Sequence, residues 1–110
     1  MVLLQAIIRP EKLEEVQDAL ERAGAEGMTV TEVHGHGSEK GHSVVYRGCA
    51  YTTAFVPKIA LEVIVADDVA DRIVQAIIGA ARTGQVGDGS IFAVPVTESY
   101  AIRMRGLLTR

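Results

Sequence analysis

The chain has 110 residues, a formal net charge of −3, 48% hydrophobic residues and 23% charged residues. That size predicts a single domain over residues 1–110, and the composition is typical of a soluble globular protein. The acidic balance argues against nucleic acid as a partner, since domains that bind it carry a basic excess. No uncharged run approaches the roughly 18 residues of a membrane span, so membrane insertion is not expected. The N-terminus lacks a basic n-region and Cys49 is the one cysteine, which together predict a cytoplasmic protein.

The first third of the chain predicts a β-α-β unit. Residues 2–8 are rich in branched apolar side chains and Pro10 follows closely, which predicts a strand and then the first turn of a helix. Apolar residues then recur every three or four positions, as on one helix face: Leu13, Val16, Leu20 and Ala23. Gly24 predicts the end of this helix. Residues 28–33 alternate in polarity and are β-branched, as a half-buried strand is.

A second β-α-β unit is predicted after residue 58. Residues 59–65 alternate again, and Asp67 or Asp68 can cap a helix. Five apolar residues lie on one stripe of that helix: Val69, Ile73, Ala76, Ile77 and Ala80. Residues 90–96 predict a strand in which Pro95 must sit at an edge or bulge, because proline cannot donate to the ladder. "YAIRMR", residues 100–105, predicts a short further strand.

The two units predict an α+β fold of the ferredoxin-like kind, with residues 3–33 and 59–96 as its halves. Helices then cover one face of the sheet. The strands are apolar on both faces, since Leu3 and Ile7 alternate with Leu4, Ala6 and Ile8. A monomer would leave one apolar face in water, so a homo-oligomer is expected.

A glycine-dense turn connects the second helix to the following strand, and residues 82–90 are called the glycine turn below. Its backbone N–H groups can point inward and cradle phosphate oxygens, around the following residues: Gly84, Gly87, Asp88 and Gly89. The alternative is an ordinary connection with a helix-stopping glycine. No helix opens after the turn, so it is neither a Walker A nor a Rossmann fingerprint.

Other charged residues offer further candidate sites. Arg103 and Arg105 alternate on the last predicted strand, so both can clamp one polyanion, or they form a basic edge that discourages aggregation. Lys58 and Arg82 are additional cations. One cluster resembles a metal site, although loop histidines are usually solvated: His34, His36, His42, Glu39 and Cys49. No nucleophile, base and orienting group occur as a unit, so an enzyme is not expected.

The chain resembles the PII signal-transduction family over nearly its whole length. The likeness lies in six blocks, in the family's order and spacing: "AIIRPEKLEEVQDAL", "GMTVTEVHGHG", "KGHSVVYRG", "FVPKIALEVIV", "AARTGQVGDGSIFAVPV" and "IRMR". The resemblance implies a homotrimer in which residues 37–55, called the long loop below, are the T-loop that inserts into target proteins. The glycine turn corresponds to the B-loop, and residues 98–110 form the C-terminal segment.

The resemblance further implies that ATP and ADP compete for clefts between subunits. The residues that match the family's nucleotide site are Thr29, Gly35, Gly37, Ser38, Glu62, Ile64, Gly84, Gly87, Asp88, Gly89, Ser90, Arg103 and Arg105. Family members that bind ATP usually carry arginine at position 38, glutamine at 39 and lysine at 90. Two phosphate-neutralising cations are therefore missing here, which predicts weaker triphosphate binding.

The resemblance also implies an effector site made by Glu39, Gly41 and Lys58. In the family the residue at 39 helps to hold the Mg²⁺ that bridges ATP and 2-oxoglutarate, and the lysine matching Lys58 pairs with the keto acid. Glu39 can bind a divalent cation but repels a dicarboxylate, which argues against 2-oxoglutarate. Tyr51 matches a tyrosine that some members uridylylate.

Two functions are compatible with these residues. The first is a cytoplasmic regulator that binds an adenine nucleotide and acts through its T-loop on a membrane transporter, at whose surface it is then peripheral, or on a metabolic enzyme. The second is a metal-responsive protein on the same scaffold, which uses the histidine cluster to regulate a transporter and does not sense 2-oxoglutarate.

Overall fold

The computed structural model describes residues 1–36, 43–46, 49–52 and 55–109. The strands are β1 Val2–Ile8, β2 Thr29–Gly35, β3 Ser43–Tyr46, β4 Cys49–Thr52, β5 Val56–Val65, β6 Gly89–Pro95, β7 Ser99–Ala101 and β8 Gly106–Thr109. The helices are α1 Leu13–Arg22, which a 3-10 turn at Pro10–Lys12 precedes, and α2 Asp67–Ala81. Neither α-helix in this described part of the chain is long and apolar enough to cross a membrane.

Four strands form one antiparallel sheet in the order β2-β5-β1-β6. Helix α1 joins β1 to β2, and α2 joins β5 to β6. The ferredoxin-like α+β arrangement predicted from the sequence is therefore confirmed. Strand β6 lies at an edge of this sheet, and Pro95 is its last residue, as the missing N–H of proline predicts.

The core lies between one face of the sheet and the two helices. Alternate residues of β1 and β5 turn toward the helices because side chains switch faces at each position of a strand. The main buried residues of this core are Leu4, Ala6, Ile8, Val16, Leu20, Ile59, Leu61, Val63, Ile73 and Ile77. Each large aliphatic side chain buried here contributes about 1.5–3 kcal/mol, so the fold is stabilised chiefly by this layer.

The helix ends differ in how well the sequence predicted them. Helix α1 ends as expected at Gly24, whose φ of 92° lets the Ala25 N–H reach the Leu20 carbonyl at 3.0 Å. The expected side-chain cap on α2 is wrong: Ala66 is the capping residue, and both aspartates lie in the first turn. Strand β5 runs to Val65, so one residue links strand and helix, and the aspartates act on the helix dipole instead.

The second face of the sheet is apolar and largely uncovered. The register places Ile64, Leu3 and Val94 in one row across β5, β1 and β6. Ile64 and Phe92 are each 52% exposed and Val94 is 46% exposed. The two-sided apolar pattern is thus confirmed, and it agrees with the homo-oligomer, which stays a prediction.

The C-terminal segment is a hairpin instead of one continuous strand. Strand β7 ends at Ala101, the Arg105 N–H bonds the Ile102 carbonyl at 3.1 Å, and β8 pairs back onto β7. The prediction that Arg103 and Arg105 alternate on a strand is therefore wrong. Both lie in the turn of this hairpin, because the chain reverses there, and alternation of faces does not apply.

The long loop contains two paired strands. Strand β3 pairs antiparallel with β4 in a sheet of their own, with Val44 opposite Tyr51. The residues that follow the loop join the main sheet, since β5 begins at Val56. Val56 is 9% exposed and Lys58 is 7% exposed, so the start of β5, which directly follows the loop, contributes to the packed body of the protein.

Candidate functional site

The glycine turn is held together by one carboxylate. The Oδ2 atom of Asp88 accepts hydrogen bonds from the backbone N–H groups of Thr83 at 2.9 Å and Gly84 at 2.8 Å. Its Oδ1 atom accepts a bond from the Thr83 hydroxyl at 2.5 Å. The amide donors of Thr83 and Gly84 therefore point toward Asp88 and are not available to a ligand phosphate.

Two cations near the ends of β1 and β5 donate hydrogen bonds to the same turn. Arg9, which directly follows β1, donates from Nε to Asp88 Oδ1 at 3.1 Å and from Nη2 to the Val86 carbonyl at 2.9 Å. Lys58 of β5 donates from Nζ to the Gly87 carbonyl at 2.5 Å. The turn is thus tied to the ends of two strands, and contacts within one protomer set its shape.

Hydrogen bonding keeps Asp88 ionised. The bond from the Thr83 hydroxyl and those from the Thr83 and Gly84 N–H groups and Arg9 hold the pKa of Asp88 well below its usual range, against an opposing effect of desolvation. The carboxylate is therefore negative at neutral pH. Its charge balances that of Arg9.

Gly89 is required where the turn enters β6. Its φ is 109°, and a Cβ at this position would lie 1.7 Å from the Ile7 carbonyl oxygen. No side chain fits without moving the β1 backbone. The start of β6 can therefore approach β1 closely, which fixes the turn beside Arg9. Ser90 comes next and lies opposite Ile7 in the register.

The residues expected on the adenine side form a separate group. Thr29 and Glu62 are opposite each other in the register of β2 and β5, and with Ile64 they line one surface recess. Lys58 and Glu62 are four residues apart on β5, so about 13 Å separates them. One protomer therefore presents the predicted nucleotide residues as two patches, one at each end of β5.

The base of the long loop borders the patch that contains Lys58. A Cβ on Gly35 would lie 3.4 Å from Lys58 Cγ, an ordinary contact distance, so this end of β2 is a close neighbour of the lysine stem. The rings of His36 and Phe55, which flank the long loop, have centroids 5.6 Å apart and an interplanar angle of 51°. These contacts join the two stems of the loop to the strand that carries Lys58.

Comparison with known proteins gives the family. The family model for Nitrogen regulatory protein P-II matches residues 1–105. The chain belongs to the P-II family. It is 50% identical over 103 residues to the Nitrogen regulatory protein P-II of Cereibacter sphaeroides, covering 94% of this chain and 92% of that protein. The P-II protein of Rhizobium etli is 48% identical over 105 residues, with 96% and 92% covered, and that of Klebsiella oxytoca is 48% identical over 103 residues, with 94% and 92% covered. The family consists of regulatory proteins, which agrees with the expectation of a signalling role.

Some predicted site residues of this P-II protein lie outside the described residues. These are Gly37, Ser38, Glu39, Gly41 and His42. Tyr51 lies on β4. Arg103 and Arg105 lie in the C-terminal turn, as described above.

The metal hypothesis gains no support from this P-II structure. Within the described residues, no group of three or more histidine, cysteine, aspartate or glutamate side chains is placed to hold a metal ion. His34 and His36 are both exposed at the end of β2. The nitrogen-regulatory family match favours the first of the two functions considered.

Sequence reasoning missed Arg9 and Thr83. Thr83 precedes the glycines and supplies both a hydroxyl and an N–H to Asp88. Arg9 had a usable signal: it directly follows β1, and the predicted fold places β1 beside the strand that starts after the glycine turn. A cation at that point is brought next to the turn by topology alone.

Proposed function

We propose that this P-II protein is a non-enzymatic regulator that binds ATP or ADP at the glycine turn and signals occupancy through the long loop. The observation that carries the proposal is the preset shape of the turn. Asp88 and Arg9 fix its two sides, and Lys58 holds its far end. A preorganised anion site loses little conformational entropy when a ligand binds.

The nucleotide site is shared between protomers in this proposal. The glycine turn supplies phosphate donors from one protomer, and the patch of Thr29, Glu62 and Ile64 supplies the adenine and ribose contacts from the next. The separation of about 13 Å along β5 supports this division. Two patches this far apart on one strand contact the same ligand more readily when each comes from a different, neighbouring protomer. The uncovered apolar face of the sheet supports assembly, and the proposed assembly is a homotrimer.

Phosphate recognition is expected to be weaker than in relatives that carry more cations. Ser90 follows the turn, and both Arg9 and Lys58 already donate to groups of the turn. Ser38 and Glu39 supply no positive charge, although Glu39 can take part in holding Mg²⁺ beside the phosphates. We propose Arg103 and Arg105 as compensating cations and expect no ordinary 2-oxoglutarate response.

The signal passes from the turn to the long loop through β5 in this proposal. Lys58 contacts Gly87 in the turn and packs against Gly35 at the loop base. A nucleotide shifts the loop only by the difference in its affinity for two loop states. The target is a membrane transporter or a metabolic enzyme, and Tyr51 on β4 is a candidate for modification.

Calorimetric titration tests the proposal. ATP and ADP are titrated with excess Mg²⁺, with and without saturating 2-oxoglutarate, into wild type and Lys58→Met. Lys12→Met serves as the matched control, since Lys12 contacts Glu15 on the surface at 3.5 Å. We expect nucleotide binding that Lys58→Met weakens by about tenfold. Wild-type protein that binds no adenine nucleotide at millimolar concentration contradicts the proposal.

The oligomer is tested separately by the molar mass in solution. Light scattering should give three times the 11.8 kDa of one chain. A monomer that still binds ATP would show that the two patches do not need each other.

A further inference from the structure

Arg9 contacts the glycine turn at two points, one near the tip and one on the arm that leads into β6. The register pairs Ile8 with Gly89, so Arg9 continues β1 directly alongside the turn. Its guanidinium donates to Asp88 on one arm and to the Val86 carbonyl near the tip, and its side chain is only 18% exposed. These two contacts hold the second half of the turn.

The effect of Arg9 extends further through Asp88. The Asp88 carboxylate that accepts a hydrogen bond from Arg9 also accepts bonds from Thr83 and Gly84, so the guanidinium, the carboxylate and these two amides form one connected network. Removing the guanidinium takes away one of the four hydrogen bonds that the carboxylate accepts, so the carboxylate holds the Thr83 and Gly84 amides less firmly. Networks of charge-assisted bonds are worth more together than their separate pairs.

We infer that Arg9 is a positioning residue for nucleotide phosphates: it holds the glycine turn in its phosphate-binding shape and acts through Val86 and Asp88. The inference rests on the proposed function, because it concerns the same site. Arginine suits this role since its planar fork of donors serves two acceptors at once, whereas a lysine ammonium serves them as a single point charge.

The first test compares ligands with and without phosphates. ATP, ADP and adenosine are titrated into wild type, Arg9→Gln and Arg9→Lys, with Lys12→Gln as the matched control on the same β1–α1 connection. Arg9→Gln should weaken the binding of ATP and of ADP by about tenfold and leave the affinity for adenosine within about twofold of wild type. Arg9→Lys should fall between Arg9→Gln and wild type, and Lys12→Gln should match wild type.

The second test measures the turn without any ligand. Amide hydrogen exchange at Thr83 and Gly84, followed by NMR, should accelerate by about tenfold in Arg9→Gln, while the Leu4 amide in β1 keeps its wild-type protection. An effect of charge alone would change ATP affinity but not this exchange. Because Arg9 acts largely through Asp88, Arg9→Gln should lower ATP affinity by a smaller factor in the Asp88→Asn background than in wild type.

The outcomes separate this inference from the proposed function. Wild-type protein without nucleotide binding overturns both. Wild-type binding that Arg9→Gln leaves unchanged, or unchanged exchange at Thr83 and Gly84, overturns the role of Arg9 alone. If Arg9→Gln does not fold, Arg9→Lys with the same two measurements decides, and wild-type values in both overturn the inference.

Discussion

The glycine turn and the C-terminal hairpin both carry predicted phosphate ligands, yet they are stabilised in opposite ways. The glycine turn is tied to its own protomer by Asp88, Arg9 and Lys58. The hairpin pairs β7 with β8 and exposes its apolar side chains, with Ile102 at 95% and Tyr100 at 64%. One region is organised by contacts within its own protomer, whereas the other exposes an apolar surface. The shared site of the proposed function would need both kinds of region.

The largest expected effect comes from the closest contact in the glycine turn. Gly89→Ala places a Cβ 1.7 Å from the Ile7 carbonyl oxygen at a positive φ, so the β1 and β6 backbones must separate. We expect the free energy of unfolding to fall by about 3 kcal/mol or more, as measured by urea denaturation.

The matched control lies in the hairpin. A Cβ on Gly106 would lie 3.8 Å from the Met104 carbonyl oxygen, which is ordinary contact distance. Gly106→Ala should therefore change the unfolding free energy by less than about 1 kcal/mol. Equal losses in the two variants would remove the distinction between an anchored turn and a tolerant hairpin.

The second expected effect is the pH dependence that Asp88 contributes. Its pKa lies below the value of about 3.9 for an unfolded chain, so its carboxylate stabilises the fold fully above that pH. The stabilisation is lost as pH falls through the folded-state pKa. Asp88→Asn should therefore be less stable than wild type at neutral pH, and the difference should shrink below about pH 4.

Urea denaturation at a series of pH values checks this expectation. Asp18→Asn is the control, because Asp18 is exposed on α1. A difference between wild type and Asp88→Asn that stays constant down to pH 3 would show that the charge of Asp88 does not stabilise the turn.

The sequence predicted the features that depend on residues close together in the chain, and it missed those that depend on contacts between distant segments. The sheet and both helices follow from local periodicity, and Gly24 and Pro95 mark boundaries through their own backbone chemistry. The contacts of Arg9 depend on β1 lying beside β6, a tertiary fact that no local pattern contains. The hairpin was missed because "YAIRMR" alternates like a strand, while its reversal depends on β8 pairing with β7.

The third expected effect concerns the exposed surface of the hairpin. Ile102→Ser should leave unfolding of a single protomer nearly unchanged, because Ile102 is 95% exposed there. If assembly buries this side chain, the substitution costs about 1.5–3 kcal/mol per protomer and raises the dissociation constant of the oligomer by tenfold or more. Analytical ultracentrifugation over a dilution series measures this dissociation constant.

Ile78→Ser provides the comparison for Ile102, since Ile78 is an isoleucine on α2 that is 40% exposed. It should leave the dissociation constant at the wild-type value. An oligomer that tolerates Ile102→Ser equally well would mean that the hairpin stays in solvent after assembly.

The last expected effect comes from Arg105, which has a φ of 55° without being glycine. That left-handed conformation costs an ordinary residue about 1 kcal/mol, so Arg105→Gly should raise the unfolding free energy by roughly that amount. The same change removes a proposed phosphate cation and should weaken ATP by about tenfold while adenosine binding is unchanged. Arg105→Asn separates the two effects, because asparagine tolerates the conformation but carries no charge. A stabilised Arg105→Gly that binds ATP as wild type does would mean that the strained arginine serves no phosphate, and the hairpin would then contribute surface alone.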